Sequence, residues 1–429
     1  MAISKVIIVG SGPAGLVLSL LLAKQGINVV ILEAAEKLDE NPRATHYAFP
    51  ATYELERAGV LQEVINEGFL PDGVSWRDIE GRPLASISTK HLSTEKKIVC
   101  LPLNRLAKIL MEHLAKQPTA EVKWSHKVLP TIGQDQESAW VMVETPNGTE
   151  KISADYIVGC DGANSQIKNS LYGDSEFPGQ TWDEQIVATN VYFDMTPYNW
   201  GDSNFIVDKE HWFMLAKIQK DGLLRVTYGD IPGLKREEYI ARQPMKFKSF
   251  LPGRPNPDKY KVVGISPYKV HQRCAKSFRE GRFLLVADAA HLCNPFGGLG
   301  LTGGLVDAGN LFDCLNGIHQ GLAYDDILSR YDVVRREMYN NIIDPVSGEN
   351  IRRLWQDPAV AHKKDEFFEI CRLAEEDPDV SRKMQEGLNA IMYDFRKEYQ
   401  VNSPASSSKE QKPNFMSSTT TIAVTAGDA

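Results

Sequence analysis

The sequence predicts an α/β fold in which a domain built on a parallel sheet carries an inserted, mostly antiparallel β domain and ends in helices. Three observations predict it. A β-α-β pattern opens the chain at residues 5–32, segments at 185–193, 204–218, 223–229 and 261–270 alternate with a period of two, and helical patterns follow from 305 onward. Period-two alternation is typical of antiparallel strands, whereas a β-α-β start is typical of a parallel sheet.

The composition limits what the chain does. It has 429 residues, 42% of them hydrophobic and 24% charged, which suits one large or two intertwined domains with a substantial core. The net charge of −8 argues against nucleic acid as a partner. Because no apolar run approaches the roughly 20 residues that a membrane span needs, we expect no membrane span.

The six cysteines, at positions 100, 160, 274, 293, 314 and 371, are scattered along the chain. Their spacing fits neither a zinc site nor a disulfide framework. We therefore expect reduced thiols, no metal site and a cytoplasmic location.

The first motif is G-S-G-P-A-G at positions 10–15. The β-branched strand Lys5–Val9 precedes it, a helix follows to about residue 25, and a second strand, Asn28–Leu32, ends at Glu33. In such a turn the first glycine permits the tight bend, the second admits a diphosphate, and the third lets helix and strand pack closely. Glu33 is placed to accept hydrogen bonds from ribose. The pattern predicts an adenine dinucleotide in a Rossmann-like domain and leaves NAD and FAD open.

Two arginines near this unit each allow two interpretations. Arg43 follows the second strand, where its guanidinium can reach ribose or diphosphate oxygens, or is simply solvated. Arg105 lies in the first turn of an amphipathic helix predicted at 101–114, and it either contacts the cofactor or is exposed. A further helix is predicted at 50–66.

Two later turns place an acidic residue after a buried strand. A hairpin at 139–153 with Asn147-Gly148 at its tip leads into a strand and the turn G-C-D-G at 159–162. The strand 283–286 leads to Asp288, and glycines at 297, 298, 300, 303 and 304 then open a helix. Such a turn aims free N–H groups at an anion or an electron-rich ring.

The three motifs in order, G-S-G-P-A-G, G-C-D-G and A-D-A-A-H…N-P-F-G-G-L-G at 287–300, resemble the class A flavoprotein monooxygenases, the family of p-hydroxybenzoate hydroxylase and related phenol hydroxylases. The resemblance covers roughly residues 3–345, and segments 43–60 and 310–343 are similar to fungal members that tailor polyketide or alkaloid metabolites. The family's usual glycine before the aspartate is Ala287 here, and Lys168 replaces the arginine that closes the second motif.

This resemblance implies which residues bind FAD. The first motif would hold its diphosphate, the second would serve both FAD and NAD(P)H, and Asp288 would hold the ribitol or ribose region. Segment 295–302 would lie beside the isoalloxazine ring. The implied residues are Gly10, Gly12, Pro13, Ala14, Gly15, Glu33, Arg43, Arg105, Asp161, Asp288, Pro295, Gly298, Gly300, Leu301 and Thr302.

A phenolic substrate needs a base or a hydrogen-bond partner that raises the electron density of its ring. On the inserted sheet we predict Tyr228 and Arg225 for this role. Further candidates are Tyr192 and His211 on the sheet, with His46 and Tyr47 near the flavin.

The resemblance implies a monooxygenase that hydroxylates an aromatic small molecule, phenolic or polyketide- or alkaloid-like. NADPH or NADH, as a transient co-substrate, would reduce FAD, and O2 would form a flavin C4a-hydroperoxide that attacks the ring. The alternatives are an epoxidase, a Baeyer–Villiger-type oxygenase, a non-oxygenating flavin reductase, a NAD-binding dehydrogenase and a non-catalytic nucleotide-binding protein. The oligomeric state, monomer or homodimer, stays open.

The predicted domain organisation follows from the order of the motifs. The FAD-binding domain comprises residues 1–180 and 275–320, and the substrate-binding sheet domain comprises 181–274. Residues 321–400 form a C-terminal helical region. Residues 401–429, rich in Ser and Thr, are predicted to be disordered.

Overall fold

Two large β-sheets organise the chain, which a computed structural model describes over residues 2–43, 45–173 and 177–400. The predicted disordered tail lies outside these described residues. The strands are, in chain order, β1 (Lys5–Val9), β2 (Asn28–Leu32), β3 (His46–Tyr47), β4 (Gly73–Arg77), β5 (Pro83–Ser88), β6 (Val99–Cys100), β7 (Ala120–Lys123), β8 (Lys127–Gln134), β9 (Ala139–Thr145), β10 (Gly148–Ala154), β11 (Tyr156–Gly159), β12 (Gly179–Phe193), β13 (Ser203–Ile206), β14 (Phe213–Lys217), β15 (Leu223–Asp230), β16 (Tyr260–Cys274), β17 (Arg279–Glu280), β18 (Phe283–Leu285) and β19 (His291–Leu292).

The α-helices pack on both sheets. They are α1 (Pro13–Lys24), α2 (Phe49–Ala58), α3 (Leu61–Glu67), α4 (Leu103–Leu114), α5 (Gln166–Tyr172), α6 (Arg236–Phe250), α7 (Leu299–His319), α8 (Ile327–Met338), α9 (Asp344–Leu354), α10 (Pro358–Lys364), α11 (Glu366–Glu376) and α12 (Pro378–Glu386). Helices α1 and α7 contact each other and are buried along nearly their whole length. A helix that is buried on every side is typical of a protein core.

The first sheet has the order β17-β18-β11-β1-β2-β7, with β18 to β7 parallel and β17 antiparallel at the edge. Carboxyl ends of parallel strands meet at one edge of a sheet, where ligands bind in α/β proteins. Strands β1, β2, β11 and β18 end there, and each leads into one of the predicted acidic or glycine turns. The predicted α/β fold class is confirmed.

The second sheet has the order β19-β16-β12-β15-β14-β13-β4-β5, and its pairs are antiparallel except for β13 with β4. The predicted antiparallel strands supply its centre. Strands β4 and β5 precede residue 181 in the chain, so the sheet also draws on an earlier segment. The domain boundaries given above stay predictions.

Two predicted elements are divided in the structure, and one observed helix was not predicted. The helix expected at 50–66 is divided into α2 and α3, because Gly59 adopts φ 76° and ends α2. The strand expected at 204–218 is divided into β13 and β14, since Asp208 accepts backbone N–H groups of a turn between them. Helix α6 was not predicted at all; Pro244 lies inside it, which obscures its helical pattern.

Within the described ranges, the structure contains no helix long and apolar enough to cross a membrane.

Candidate active site

The turn after β1 is shaped by the absence of side chains. Gly10 adopts φ 102°, and a Cβ there would lie 2.6 Å from the carbonyl oxygen of Cys160. A Cβ on Gly15 would lie 2.4 Å from the carbonyl oxygen of Gly10, so α1 and β1 pack in direct backbone contact. Gly12 is the N-cap of α1 and Pro13 begins it, without a side-chain cap. The first N–H groups of α1 are therefore free for a ligand.

Glu33 stands at the end of β2, oriented by neighbouring donors. Its carboxylate accepts the Ser11 N–H at 2.8 Å, the Ser11 hydroxyl at 2.7 Å and the Ala35 N–H at 2.9 Å. These bonds hold it at the rim of a large cavity. Arg43, also at the rim, forms an exposed ion pair with Asp39 at 2.9 Å.

Asp161 follows β11, and only one of its two carboxylate oxygens accepts hydrogen bonds among the described residues. Its Oδ2 accepts the N–H groups of Gln166 at 2.7 Å and Ile167 at 3.3 Å, at the start of α5. Its Oδ1 is buried and has no hydrogen-bond partner in the part of the chain that the structure describes. Burial outweighs these hydrogen bonds and raises the pKa of the carboxyl. A buried oxygen without a partner is typical of an atom that binds a ligand.

Asp288 follows β18 on a turn whose conformation requires support. Ala287, directly before it, adopts φ 57°, an unusual value for a residue with a Cβ. Its Cβ faces Gly304 of α7, where an added Cβ would lie 2.6 Å away. Gly304 thus provides the room that the alanine needs. The Asp288 side chain extends into the cavity, where enclosure by the surrounding protein raises the pKa of its carboxyl.

A buried network of charged side chains stabilises the turn that carries Asp288. Asp307 of α7 accepts the Ala287 N–H at 3.0 Å, His291 Nε2 at 2.7 Å and Arg335 Nε at 2.6 Å. Burial alone would raise the pKa of Asp307, but His291 and Arg335 outweigh it and lower the pKa to about 2. Asp307 is therefore an anion that fixes the turn carrying Asp288.

The glycine-rich turn before α7 forms the next part of the cavity wall. Gly297 and Gly298 adopt φ 119° and 67°, and Gly298 caps α7 without a side-chain bond. Pro295, Gly298, Gly300 and Leu301 line the cavity. Thr302, which the resemblance placed beside the ring, is buried in α7 and does not line it.

These turns border one cavity of about 1760 Å³, and a face of the second sheet forms another part of its wall. Cross-strand pairing arranges that face in two rows. The first row comprises Trp76, Phe205, Met214, Thr227, Ala188 and Ser266, and the second comprises Ser203, Ala216, Arg225, Asn190 and Gly264. The first row, with the three large apolar side chains Trp76, Phe205 and Met214, therefore adjoins a row that contains a guanidinium. We refer to the first row as the apolar row.

Arg225 is the positive group of this wall. Asn190 Oδ1 accepts its Nε and Nη2 at 3.1 Å each, and the Pro42 carbonyl accepts Nη2 as well. Among the described residues it has no carboxylate within ion-pair distance. Burial lowers the pKa of the guanidinium, which nonetheless stays protonated. A mostly buried cation without an anion predicts an anionic ligand.

Two titratable side chains share this part of the cavity. His46 bonds to the Thr45 hydroxyl at 2.8 Å through Nδ1, and its Nε2 is 3.5 Å from the Ser203 hydroxyl. Burial, and then the charge of Arg225, lower the pKa of His46 to about 4, so it is neutral at pH 7. Tyr268, also in the wall, is 38% exposed, and its enclosure by the cavity raises the pKa of its hydroxyl to about 12.

Comparison with known proteins identifies the family. Residues 4–346 match the family described as FAD binding domain. The chain is 36% identical to the para-nitrophenol 4-monooxygenase of Pseudomonas sp. (strain WBC-3), over 85% of this chain and 90% of that protein. It is 36% identical to the 6-hydroxy-3-succinoylpyridine 3-monooxygenase HspB of Pseudomonas putida (strain DSM 28022 / S16), over 84% and 91%.

The chain belongs to the class A flavoprotein monooxygenases. Among solved structures, the p-nitrophenol 4-monooxygenase PnpA of Pseudomonas putida DLL-E4 superposes with a TM-score of 0.85 at 34% identity, covering 91% of this chain and 99% of that one. The predicted resemblance, FAD as cofactor and monooxygenase activity are thereby confirmed. These relatives are bacterial, and the similarity to fungal members stays a prediction.

The residues present fit FAD. The cavity is bordered by two helix N-termini without side-chain caps, an orphaned Asp161 oxygen, and glycines whose backbone leaves no room for side chains. Of the residues implied by the resemblance, those that line the cavity are Gly10, Gly12, Pro13, Ala14, Glu33, Arg43, Asp161, Asp288, Pro295, Gly298, Gly300 and Leu301. Gly15 lies beneath the turn, where it permits close packing.

Arg105 does not lie where the resemblance implied. It pairs with Glu67 of α3 at 2.6 Å and, together with Asn104, lines a small neighbouring pocket, but it does not line the cavity itself. Its neighbour Asn104 lines the cavity instead, and a buried Oδ1 of that residue lacks a partner among the described residues. Successive residues of an α-helix point about 100° apart, so a shift of one position exchanges a solvent contact for a cavity contact.

Tyr228 was wrongly predicted to contact the substrate. It is fully buried on the other face of the sheet, where its ring packs against Phe247 and Phe250 of α6. Alternate residues of a strand face opposite sides, so Arg225 and Tyr228, three positions apart, cannot share one site. The alternation was visible in the sequence, but α6, which covers the Tyr228 face, was not.

The other predicted substrate contacts also differ in whether they face the cavity. Of them, only His46 lines the cavity within the described chain. Tyr47 is a core residue whose hydroxyl donates to the Leu101 carbonyl, and Tyr192 donates to Asp221 at an exposed position. Asn190 and Tyr268, which do line it, were missed because a strand pattern alone does not show which face meets a cavity.

Proposed function

We propose that this monooxygenase hydroxylates a single-ring phenol or hydroxypyridine, bound as its anion beside Arg225. The observation that carries the proposal is the Arg225 guanidinium, which lies in the cavity wall next to an apolar row and has no carboxylate partner among the described residues. An ionised ring hydroxyl would supply the missing negative charge. It would also donate electrons to the ring, chiefly at its ortho and para carbons.

The names of the relatives support this substrate class. Para-nitrophenol and 6-hydroxy-3-succinoylpyridine are both single rings that carry a hydroxyl group, and each enzyme's name places its reaction at the ring position opposite that hydroxyl. We therefore propose that oxygen is added at the carbon para to the substrate hydroxyl; where that carbon carries a nitro group, the C–N bond breaks, nitrite leaves and the ring becomes a quinone. Polyketide- or alkaloid-like substrates stay the alternative.

The chain's own residues have four tasks. The turn at the start of α1 would bind the FAD diphosphate, Glu33 the ribose, and Asp161 and Asp288 the sugar chain. The N-terminus of α7 would stabilise negative charge at the ring. When bound, FAD supplies hydride uptake from NAD(P)H and activation of O2.

Arg225 and His46 would act on the substrate. Arg225 would hold the ring oxygen as an anion, and neutral His46, whose Nε2 is 3.5 Å from the Ser203 hydroxyl, would be a hydrogen-bond partner beside it. The apolar row with Trp76, Phe205 and Met214 would exclude water from the reacting carbon.

The test is turnover by the purified protein. We expect a yellow protein that oxidises NADPH or NADH faster when p-nitrophenol is added, consumes O2 and incorporates one atom of ¹⁸O₂ into the product, measured by mass spectrometry. Stimulated oxidation without labelled product would favour a flavin reductase, and a labelled epoxide or ester would favour the other oxygenase alternatives. A colourless protein that gains no flavin on incubation with FAD would overturn the proposal.

We also propose a cytoplasmic location. Each of the six cysteines is free, and burial raises the pKa of all six thiols, which suits a reducing compartment. The oligomeric state is a separate question. Light scattering on the protein as it elutes from a sizing column would decide between monomer and homodimer.

A further inference from the structure

The C-terminal helices contribute to the cavity as well. Met384 and Gln385 at the end of α12, and Leu388 in the 3-10 turn that follows, line it. Met384 and Leu388 are four positions apart, so on a helical segment they face the same side. We name residues 384–388 the C-terminal wall.

The C-terminal wall connects the two ends of the substrate compartment. Met384 packs against the aromatic cluster that includes Trp76 and Phe296. Leu388 packs against the cluster that includes Leu299, the first residue of α7. The two side chains therefore span the distance from the aromatic end of the sheet to the glycine-rich turn before α7.

Polar contacts hold the wall in place. Glu386 pairs with Lys96 at 2.6 Å, and Gln385 Nε2 donates to the Ser88 carbonyl at 3.2 Å. At the far end, Arg335 Nη1 donates to the carbonyl of buried Ile391 at 2.6 Å. The position of Met384 and Leu388 is thus defined from both sides.

The wall also lies outside the part of the chain that matches the family, residues 4–346. The turns that fit FAD all lie inside that part. A segment that borders the cavity outside the matched FAD-binding region is suited to distinguish one substrate from another.

We propose that Met384 and Leu388 determine the size of the ring system that the site accepts, excluding fused rings and admitting a single ring. This inference rests on the proposed function, because it assigns selectivity to the same site. Both side chains are apolar and pack without hydrogen-bonding groups, so their truncation opens space that a larger ring fills.

The experiment compares two probes, p-nitrophenol with one ring and 4-nitro-1-naphthol with two. We expect Met384→Ala and Leu388→Ala to raise the ratio of kcat/KM for the naphthol over the phenol at least about tenfold. Lys383→Ala, an exposed neighbour in α12, should leave the ratio within about twofold. FAD content and circular dichroism identify variants that are folded and loaded.

An unchanged ratio in folded, FAD-loaded alanine variants would overturn the inference. Should the wild-type protein turn over neither probe, the proposed function fails, and the inference is then decided by binding alone. In that case the dissociation constants of both probes, from perturbation of the flavin absorbance, should show the same shift in ratio. Equal dissociation-constant ratios in wild type and variants would overturn it.

Discussion

At the scale of single residues, the site depends on the direction in which each side chain points. Arg225 and Asn104 face the cavity, whereas Tyr228 and Arg105 do not, although all four belong to elements that border it. The periods of strand and helix, 2 and 3.6, generate these alternatives. Packing by α6 and α3 selects between them, because it covers one face and leaves the other to the cavity.

The charge of Arg225 is open to direct test. Arg225→Met should raise the dissociation constant of p-nitrophenolate roughly 10- to 100-fold, since a hydrogen bond to a charged group contributes about 1.5–3 kcal/mol. Arg225→Lys should recover part of the loss, because it restores the charge without the planar fork. The measurement is a flavin absorbance titration at a pH above the pKa of the phenol.

Arg236→Met is the matched control, since Arg236 also borders the cavity but is exposed. It should change the dissociation constant by less than about threefold. If Arg225→Met binds the phenolate as tightly as the wild type, Arg225 is not the anion site.

At the scale of elements, the turn that carries Asp288 is supported by a helix distant in sequence. Asp307 of α7 accepts the Ala287 N–H while His291 and Arg335 keep it ionised. A conformation that is unfavourable for an alanine persists because the surrounding contacts over-determine it. The α7 helix thus contributes twice, through its N-terminus in the cavity wall and through a buried anion beneath the turn.

Asp307→Asn should weaken both stability and FAD binding. We expect a loss of about 3 kcal/mol in the free energy of unfolding, because Arg335 becomes a buried charge without its counter-ion. FAD should dissociate at least about tenfold more readily, since the Asp288 turn loses its anchor. Urea unfolding and FAD titration of the apoprotein measure the two effects.

The double variant Asp307→Asn/Arg335→Met separates these effects. Removing both charges should restore much of the stability, because no unpaired charge remains, while FAD affinity stays low. If affinity recovers together with stability, the turn does not depend on Asp307 for its position.

At the scale of the whole molecule, α2 and α7 are joined by a second charge cluster. Glu54 and Arg57 of α2 pair at 2.8 Å, and Arg57 also pairs with Asp313 of α7. A Cβ on Gly309 would lie 2.0 Å from the Glu54 carboxylate, so the helices approach closely. Burial raises the pKa of Glu54 to about 7; Arg57 opposes this and Asp313 reinforces it.

The free energy of unfolding should therefore fall as the pH rises from about 4.5 to about 7. Glu54 binds its proton more tightly in the folded protein than in the unfolded chain. Its contribution to the free energy of unfolding is therefore complete below about pH 4.5 and is lost as the pH rises through about 7. We expect wild type to lose on the order of 2 kcal/mol of unfolding free energy between pH 5 and 8 from this group. In Glu54→Gln the free energy of unfolding should fall less, by that amount, over the same pH range. Urea unfolding at several pH values measures the difference.

Glu56→Gln is the control, because Glu56 is exposed on the same helix. Its pH profile should match the wild type. Parallel profiles for wild type and Glu54→Gln would contradict a titrating Glu54 at this contact.

The sequence by itself determined the features that depend on neighbouring residues. Gly10 and Gly15, the acids at 33, 161 and 288, and the glycines before α7 are readable because backbone conformation and close approach impose local rules on residue type. The order of these motifs was sufficient for the fold class, the cofactor and the kind of reaction.

Only the tertiary structure decided which side chains meet in the cavity. The choice of Arg225 over Tyr228, the role of Asn104, the Asp307 support beneath Ala287 and the C-terminal wall all depend on contacts between segments far apart in the chain. Such contacts follow from how whole faces pack, and a local pattern specifies that a face is apolar without specifying what covers it.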